Sequence, residues 1–379
     1  MTEEAVVAGG GLAGAAVAWR LARAGRRVLV LERETAPADK ICGEFLSGGA
    51  VRQLAGLGID PGRLGAAPIF GVRLVRGARA VAATLPFPAF GLSRRSLDAA
   101  VLERAAAAGA EIRHGVTVTM ARPGAQPGAP IRLDLAGTPA GLGEMRADAL
   151  FLATGKHDLR GLRRQPTGPV TDLVGFKTHL RLEKGQRDAL AGHVELVLLP
   201  DGYAGLQSVE SGMANLCLLV ARERLLRAGG SWEGLLADLR ASEPHLRARL
   251  AGAEPVMPRP LAIARVPYGY VHAADGDLAG VFRVGDQMGV THSFTGDGLA
   301  IALYTAASAA SCWLDGLPAA AHAARVRRDI AGQMHRAALL HRIGATRPGQ
   351  ALLVHVAAIC PGALGLAARL TRVPMREAA

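Results

Sequence analysis

Short apolar runs and one amphipathic segment alternate at the N-terminal end of the chain. Ala5–Ala8 is a continuous apolar run, which is typical of a strand buried on both faces of a parallel sheet. Apolar residues then recur at helical spacing over Leu12–Ala24, and a second apolar run covers Val28–Leu31. The pattern predicts a strand, a helix and a parallel strand, the opening unit of an α/β sheet.

The turn between the first strand and the helix reads GGGLAG and has GxGxxG spacing. Gly9 permits the tight turn, Gly11 lets a pyrophosphate approach the backbone, and Gly14 lets the helix pack closely on the strand. Glu32 ends the second strand, where a carboxylate accepts hydrogen bonds from an adenosine ribose. The unit is predicted to bind a dinucleotide, and both FAD and NAD suit it.

A second glycine-rich region near the other end of the chain favours FAD. Val281–Val284 reads as a strand, Gly285 and Asp286 follow it, and a helix is predicted to open at Thr295–Gly298. Asp286 at a strand end can hold a ribityl hydroxyl of FAD. The positive end of the helix would face the flavin pyrimidine, where reduced flavin carries negative charge.

The middle of the chain has the pattern of an antiparallel sheet. Two turn signals, at Pro200–Gly202 and Ser211–Gly212, separate apolar-rich runs over His193–Val220, and Phe70–Gly77 is predicted to join them.

The C-terminal stretch Ala351–Ala368 is long and uncharged enough to suggest a membrane span, but Pro361-Gly362 interrupts it. We therefore expect a buried pair of short helices there.

Composition narrows the choice of partners. The net charge is +12, but the basic residues are mostly arginines dispersed along the chain and only 4% of residues are aromatic, so nucleic-acid binding is not expected. A basic surface could instead dock on an acidic carrier protein or on a membrane. Four widely separated cysteines predict neither a disulfide framework nor a metal site, and the acidic start MTEE favours a cytoplasmic location, with peripheral membrane contact left open.

Three stretches resemble the flavoprotein superfamily of single-component aromatic hydroxylases and geranylgeranyl reductases: GGGLAG with Glu32, KICGEFLS, and RVGDQMGVTHSFTGDGLAIAL. The middle stretch is more similar to the reductase branch. The resemblance implies an α/β fold with a three-layer Rossmann-type FAD-binding domain, an inserted antiparallel-sheet substrate domain and a C-terminal helical segment. The implied boundaries are 1–66, 92–161 and 267–330 for the FAD domain, 67–91 and 162–266 for the substrate domain, and 331–379 for the helices.

The resemblance also implies site residues. The loop carrying KICGEFLS would run beside the flavin, and Arg94 occupies the place of a family arginine near the flavin nucleotide. His292 stands where relatives often carry proline, and a histidine has a pKa in the range useful for acid–base work. The predicted catalytic residues are His292, Glu44, Lys40 and Cys42. The predicted cofactor-binding residues are Gly9, Gly11, Gly14, Glu32, Arg33, Gly43, Arg94, Val118, Gly155, Gly285, Asp286, Gly296 and Gly298, and the predicted substrate residues are Tyr203, Leu206 and Tyr268.

Two reactions remain open on these residues. One is an NADH- or NADPH-dependent flavin monooxygenase that oxygenates a small organic or natural-product-like substrate. The other is reduction of a carbon–carbon double bond, as in geranylgeranyl reductases. The Trp expected near Tyr203–Leu206 in those reductases is missing, which favours the monooxygenase, and the WxWxIP stretch of flavin halogenases is absent too. A third hypothesis is a basic flavoprotein that docks on an acidic partner or membrane.

Lys177, in the predicted strand DLVGFKTHL, is expected to be solvated.

Overall fold

The structure is a computed structural model, and it describes residues 2–126, 128–137, 143–165, 172–274 and 276–373. The strands in chain order are β1 (Thr2–Ala8), β2 (Val28–Glu32), β3 (Phe45–Leu46), β4 (Ala67–Arg76), β5 (Arg79–Gly91), β6 (Glu111–His114), β7 (Val116–Arg122), β8 (Ile131–Gly137), β9 (Glu144–Leu152), β10 (Leu173–Arg181), β11 (Gly192–Leu199), β12 (Gly202–Ser208), β13 (Ala214–Ala221), β14 (Glu254–Pro255), β15 (Leu261–Ala264) and β16 (Val281–Arg283). The helices are α1 (Leu12–Arg23), α2 (Gly48–Gly56), α3 (Arg94–Ala107), α4 (Lys184–Leu190), α5 (Arg222–Arg227), α6 (Trp232–Ser242), α7 (Pro244–Arg249), α8 (Gly298–Leu314), α9 (Ala319–Gly344), α10 (Arg347–Ile359) and α11 (Gly362–Leu370).

The first sheet has the strand order β6-β2-β1-β9-β8-β7, with β16 paired to β9. Strands β6, β2, β1, β9 and β16 run parallel, as the apolar runs predict. One face packs against α1, α3 and α8, and the other is covered by the β7–β8 hairpin. The three-layer Rossmann-type unit is therefore confirmed, and it brings the ends of β1, β9 and β16 to one edge of the sheet.

The second sheet has the order β14-β10-β13-β12-β11-β4-β5-β3, with β15 on β10, and is antiparallel except for the β4–β11 pair. Because successive side chains on a strand point to opposite faces, each strand supplies two different surfaces. Residues such as Phe176, Leu206 and Leu218 pack against α6 and α7 in one core. Their neighbours, including Cys217 and Leu219, face a cavity on the other side.

The C-terminal helices confirm one expectation and correct another. Two short helices, α10 and α11, do break near Pro361, and they meet at an angle of 118°. They are not buried as a pair, because only one face of each contacts the second sheet. The outer face is exposed, with Leu352 56% and Ile359 72% accessible.

The predicted domain boundaries remain a prediction. Strand β3, placed in the cofactor domain by sequence, pairs with β5 in the second sheet. This pairing draws the loop that precedes β3 into the space between the two sheets. Residues 374–379 of the predicted helical segment lie outside the described residues.

Candidate functional site

The turn after β1 has the geometry of a dinucleotide cradle. Gly9 has a φ of +109°, and a Cβ there would lie 2.6 Å from the carbonyl oxygen of Ala153. A Cβ on Gly14 would collide with the carbonyl oxygen of Gly9. Gly11 is different, because its ideal Cβ meets only Arg94 and Asp98 atoms at 3.5 Å. Among the described residues no side chain caps α1, so its first-turn N–H groups remain available to a phosphate.

Glu32 is buried at the end of β2, beside this turn. Its carboxylate accepts hydrogen bonds from the Gly10 N–H at 2.6 Å and the Glu34 N–H at 3.0 Å. Each oxygen keeps a further acceptor site, which suits a ribose hydroxyl. Arg33 is exposed and pairs with Glu34 at the surface. Val118 lies in the core among apolar neighbours, and its role in cofactor binding stays a prediction.

Arg94 begins α3 and points toward the same cradle. Its guanidinium binds the Asp98 carboxylate through two bonds of 2.8 Å, in the bidentate geometry of a strong ion pair. Burial alone would lower the pKa of Arg94, but the Asp98 carboxylate outweighs it and raises the pKa. Arg94 therefore carries a fixed positive charge next to Gly11.

The turns after β9 and β16 meet because the two strands are parallel neighbours. The Gly155 carbonyl accepts a bond from Gln287, and Lys156 Nζ lies 3.3 Å from Asp286 Oδ2 and 3.1 Å from the Ile41 carbonyl. Burial would lower the pKa of Lys156, but the Asp286 carboxylate raises it. The Gly285 N–H donates to Thr305 Oγ1. The fold thus brings three predicted cofactor-binding residues that are far apart in sequence to one edge of the first sheet: Gly155, Gly285 and Asp286.

Helix α8 opens beside this edge. Gly296 adopts a left-handed conformation, and no described side chain caps Gly298 and the following amides. Asp297 does not cap the helix, because its carboxylate binds Ser47 Oγ, the Val373 N–H and Arg372. The two uncapped helix N-termini, and the absence of a side chain at Gly11, fit the pyrophosphate and flavin ends of FAD.

The loop Asp39–Ser47 lies between this cradle and the second sheet. Gly43 lines the cavity, and Glu44 is fully buried with a φ of 59°. Lys40 is half-buried and Cys42 is partly exposed; neither lines the cavity. The Cys42 carbonyl accepts a bond from Asn215 Nδ2 on β13. The loop is therefore fixed by contacts with the sheet rather than free at the surface.

A cavity of about 360 Å³ lies between the second sheet and helices α9–α11. Its walls are mainly apolar, with leucine the most frequent side chain, and Gly43, Thr295 and Gly296 are among the lining residues. These three residues belong to the loop and to the turn before α8 that border the cofactor cradle. The arrangement places an apolar chamber next to the α8 side of the cradle.

Three ionisable side chains that line the cavity are uncharged at neutral pH. Burial raises the pKa of the Cys217 thiol to about 12 and raises that of Tyr203 well above its usual value. Burial lowers the pKa of His341. All three side chains are therefore neutral at pH 7.

The two remaining ionisable lining residues are ion-paired. Asp201 binds Arg224 at 3.0 Å. Arg372 donates to Asp297, to the Thr295 carbonyl and to the Ala368 carbonyl, which engages all three of its guanidinium nitrogens. Within the described residues the cavity thus offers no unpaired charge to a ligand.

His292 lies in an aromatic stack rather than at the cavity wall. Its ring is 4.2 Å from the His341 ring and 5.7 Å from that of Tyr268. Burial and the neighbouring His341 lower the pKa of His292 to about 4. This direction does not favour titration near neutral pH, because burial disfavours the charged imidazolium, and the catalytic role of His292 stays a prediction.

His292→Asn is expected to leave the shape of the pH–rate profile unchanged between pH 6 and 9, because wild-type His292 is already neutral there. The substitution is instead expected to change how the stability of the protein depends on pH below 6.5. A folded pKa below the ordinary value of 6.5 means that the unfolded chain takes up protons first, so stability present above pH 6.5 falls as pH drops toward 4. Urea unfolding at pH 7 and 4.5 measures this loss, which is expected to be smaller in the variant. An inflection near pH 7 that disappears in the variant would contradict it.

The three predicted substrate residues do not all lie at the cavity. Tyr203 lines the cavity, and Tyr268 lies next to it, with a 2.8 Å bond between its hydroxyl and that of Ser293. Leu206 does not line the cavity: it is fully buried in the core on the opposite face of β12, because it is an odd number of residues away from Tyr203.

Sequence reasoning missed several residues. Lys177 was expected to be solvated, yet its side chain is fully buried against Glu44 and Asp39. His179, two residues further on the same face of β10, also binds Glu44. The signal was present in FKTHL, where two basic residues stand at alternate positions of the strand, but a polar strand face is interpreted as solvent-facing unless its partner is known.

Comparisons with known proteins agree with this geometry. A model of the NAD(P)-binding Rossmann-like domain matches residues 7–39. The squalene epoxidase of Saccharomyces cerevisiae is 46% identical over 59 residues, which is 16% of this chain and only 12% of that relative.

Two solved structures match over nearly the whole chain. A flavin-dependent brominase has a TM-score of 0.79 at 18% identity, covering 98% of this chain and 93% of its own. A geranylgeranyl bacteriochlorophyll reductase-like protein from Thermoplasma acidophilum has a TM-score of 0.74 at 16% identity, covering 94% and 91%. The predicted resemblance is confirmed at the level of fold: the chain has the fold shared by flavin-dependent halogenases and geranylgeranyl reductase-like proteins, with a Rossmann-like nucleotide-binding domain at its N-terminal end.

Proposed function

We propose that the protein is an FAD-dependent oxidoreductase, and specifically an NAD(P)H-dependent flavin monooxygenase that acts on a neutral, mainly apolar small molecule. The carrying observation is that the apolar cavity is lined in part by Gly43, Thr295 and Gly296, which belong to the loop and the helix start beside the cofactor cradle. A substrate in this cavity would approach the cradle without meeting an unpaired charge on the described residues.

The residues present suit FAD. Gly9, Gly11 and the start of α1 would hold the pyrophosphate, Glu32 the adenosine ribose, and Asp286 the ribityl chain. FAD, when bound, supplies the electron transfer and oxygen activation. The chain contributes the open N-terminus of α8, which favours negative charge at the flavin, and a cavity that excludes water from the reacting region.

Monooxygenation is preferred to the other reactions for two reasons. The similar segment of squalene epoxidase belongs to a monooxygenase, and the Trp expected of a geranylgeranyl reductase is absent near Tyr203. Halogenation is not proposed, because none of the three tryptophans stands in a WxWxIP stretch.

The test is single-turnover oxidation with labelled oxygen. The FAD-loaded protein is reduced anaerobically with NADH or NADPH while flavin absorbance is recorded, then mixed with labelled dioxygen and a neutral alkene. A product that carries one labelled oxygen atom supports the proposal. A saturated, unlabelled product would show a carbon–carbon double-bond reductase instead, and flavin that neither pyridine nucleotide reduces would exclude both as electron donors.

Gly205→Phe is expected to fill the cavity and abolish apolar ligand binding while FAD content stays normal. Gly205 lines the cavity on β12, and its ideal Cβ meets only the Cys217 carbonyl oxygen, at 3.6 Å, so the ring can enter the cavity without moving the backbone. Fluorescence of a neutral apolar dye measures binding. Gly185→Phe, at an open position of α4 outside the cavity lining, is the matched control and should bind dye normally.

The outer face of α10 and α11 favours a membrane surface over an acidic carrier protein. No single described helix has the length and apolar character needed to cross a bilayer, although the bent pair α10 and α11 passes that test together. Exposed apolar side chains cover this face: Leu352, Val356, Ile359, Leu366 and Leu370. We propose that it rests on an anionic lipid surface, because arginines such as Arg347 and Arg369 flank the apolar residues.

Co-sedimentation with vesicles tests this docking. Binding is expected to anionic phosphatidylglycerol vesicles, to weaken with salt, and to be lost in Leu352→Gln/Ile359→Gln. Leu226→Gln, which removes an exposed leucine from α5, is the control. Equal binding by both variants would exclude the face, and failure to bind vesicles with capture by an acidic carrier protein would point to the other partner class.

A further inference from the structure

Three side chains with the chemistry of metal ligands meet where the loop Asp39–Ser47 contacts β10. Ligand atoms of Asp39, Glu44 and His179 all lie within 4.8 Å of one another. Two carboxylates and an imidazole are a common donor set for a divalent transition metal. The three come from different parts of the chain, since His179 is on β10 and the carboxylates are in the loop before β3.

A lysine ammonium already stands between the two carboxylates. Lys177 Nζ is 2.9 Å from Glu44 Oε1 and 3.3 Å from Asp39 Oδ1, and the Lys177 side chain is fully buried. His179 Nε2 is 2.6 Å from the other Glu44 oxygen. A divalent cation in this cluster would face the ammonium at close range in a buried setting, where like charges repel strongly.

Glu44 connects the cluster to the backbone of the cavity loop. Glu44 has a left-handed φ of 59°, a strained conformation for a residue with a side chain. Its carbonyl accepts bonds from the Leu92 N–H and Gln207 Nε2, and its carboxylate accepts one from the Arg94 N–H. The next residue toward the N-terminus is Gly43, which lines the cavity.

We propose that Lys177 is the built-in cation of a metal-type cluster, and that it is a positioning residue that holds Gly43 where the cavity meets the cofactor cradle. Neither Lys177 nor Glu44 lines the cavity, so the role is exerted through the loop. Two consequences follow. Removal of the ammonium leaves a vacant donor set that binds a divalent cation, and a metal ion bound there restores the order of the loop.

Lys177→Met tests both consequences without reference to any reaction. The stem is nearly preserved and only the charge is lost. In chelator-treated protein, cobalt titration followed by visible absorbance is expected to show a site at least about tenfold tighter in the variant than in wild type, from the removal of one adjacent positive charge. Lys177→Met/His179→Ala should lose the gain. Lys184→Met, which removes an exposed lysine from α4, is the matched control and should resemble wild type.

Cleavage after Lys40 by a lysine-specific protease reports the order of the loop. The chain has only four lysines, so the product is easily identified by mass. Metal-free Lys177→Met is expected to be cut at Lys40 about tenfold faster than wild type, as local opening becomes easier, and zinc should reverse most of this increase. A lysine that acted only by packing of its stem would give no reversal by zinc.

Two results would overturn the proposal: cobalt binding that is no tighter in the variant than in wild type, or faster cleavage that zinc does not reverse. If metal-free Lys177→Met does not fold, its soluble yield must rise when zinc is supplied during expression, while that of Lys177→Met/His179→Ala must not. An equal response of the two, or none, would also reject it.

Discussion

Gly11→Val is expected to fold normally and to lose FAD. The Gly11 backbone has φ −69° and ψ −179°, an extended conformation that valine adopts readily, and its ideal Cβ has no contact closer than 3.5 Å. The added side chain instead occupies the space through which a pyrophosphate would approach the N-terminus of α1. We expect FAD affinity to fall by on the order of 100-fold, the cost of displacing several phosphate–backbone hydrogen bonds. Titration of FAD by quenching of its fluorescence measures the change.

The control for this variant is Gly56→Val. Gly56 is exposed at the C-terminal end of α2, and its ideal Cβ meets nothing within 4 Å. Its circular dichroism and FAD affinity should both resemble wild type. FAD binding by Gly11→Val at wild-type affinity would place the cofactor somewhere other than the glycine turn.

Arg372→Ala is expected to cause the largest loss of stability among single changes near the cavity. Its guanidinium is 3.1 Å from Asp297 Oδ1, donates to the Thr295 carbonyl, and lies over the Phe87 ring at 5.0 Å. Because Asp297 is fully buried, removal of its cationic partner should cost about 3–5 kcal/mol of unfolding free energy. The Ser47 and Val373 bonds to Asp297 remain, which favours the lower end.

Urea unfolding of Arg372→Ala beside Arg369→Ala measures this effect. Arg369 is exposed on α11, where a substitution usually changes stability by less than about 0.5 kcal/mol. Equal stability of the two variants would show that the C-terminal segment is not locked to the turn before α8 through Arg372.

The cofactor half of the fold was predictable because its signals are local. Apolar runs at Ala5–Ala8 and Val28–Leu31, and the glycines between them, specify strand, turn and helix within about thirty residues. Gly285, Asp286 and the start of α8 were located in the same way, from a strand followed by glycine.

The substrate half was predictable only as a sheet. Whether a residue on β12 faces the core or the cavity depends on which face the helices cover. The sequence does not give that face, so Leu206 was predicted to contact the substrate although it lies in the core. The burial of Lys177 depends on Glu44, which lies 133 residues away in sequence. The part of α9–α11 in the cavity wall, and the stack of His341 on His292, likewise depend on long-range packing that periodicity does not encode.

The central claim is that the apolar cavity opens onto bound FAD, and the flavin absorbance spectrum tests it most directly. A neutral apolar ligand is titrated into FAD-loaded wild type and Gly205→Phe while the visible flavin bands are recorded. We predict a saturable shift of these bands in wild type, because a ligand at Gly43 and Gly296 changes the polarity beside the flavin, and no shift in the variant. A ligand that binds wild type without altering the spectrum, or that shifts it equally in Gly205→Phe, would contradict the claim.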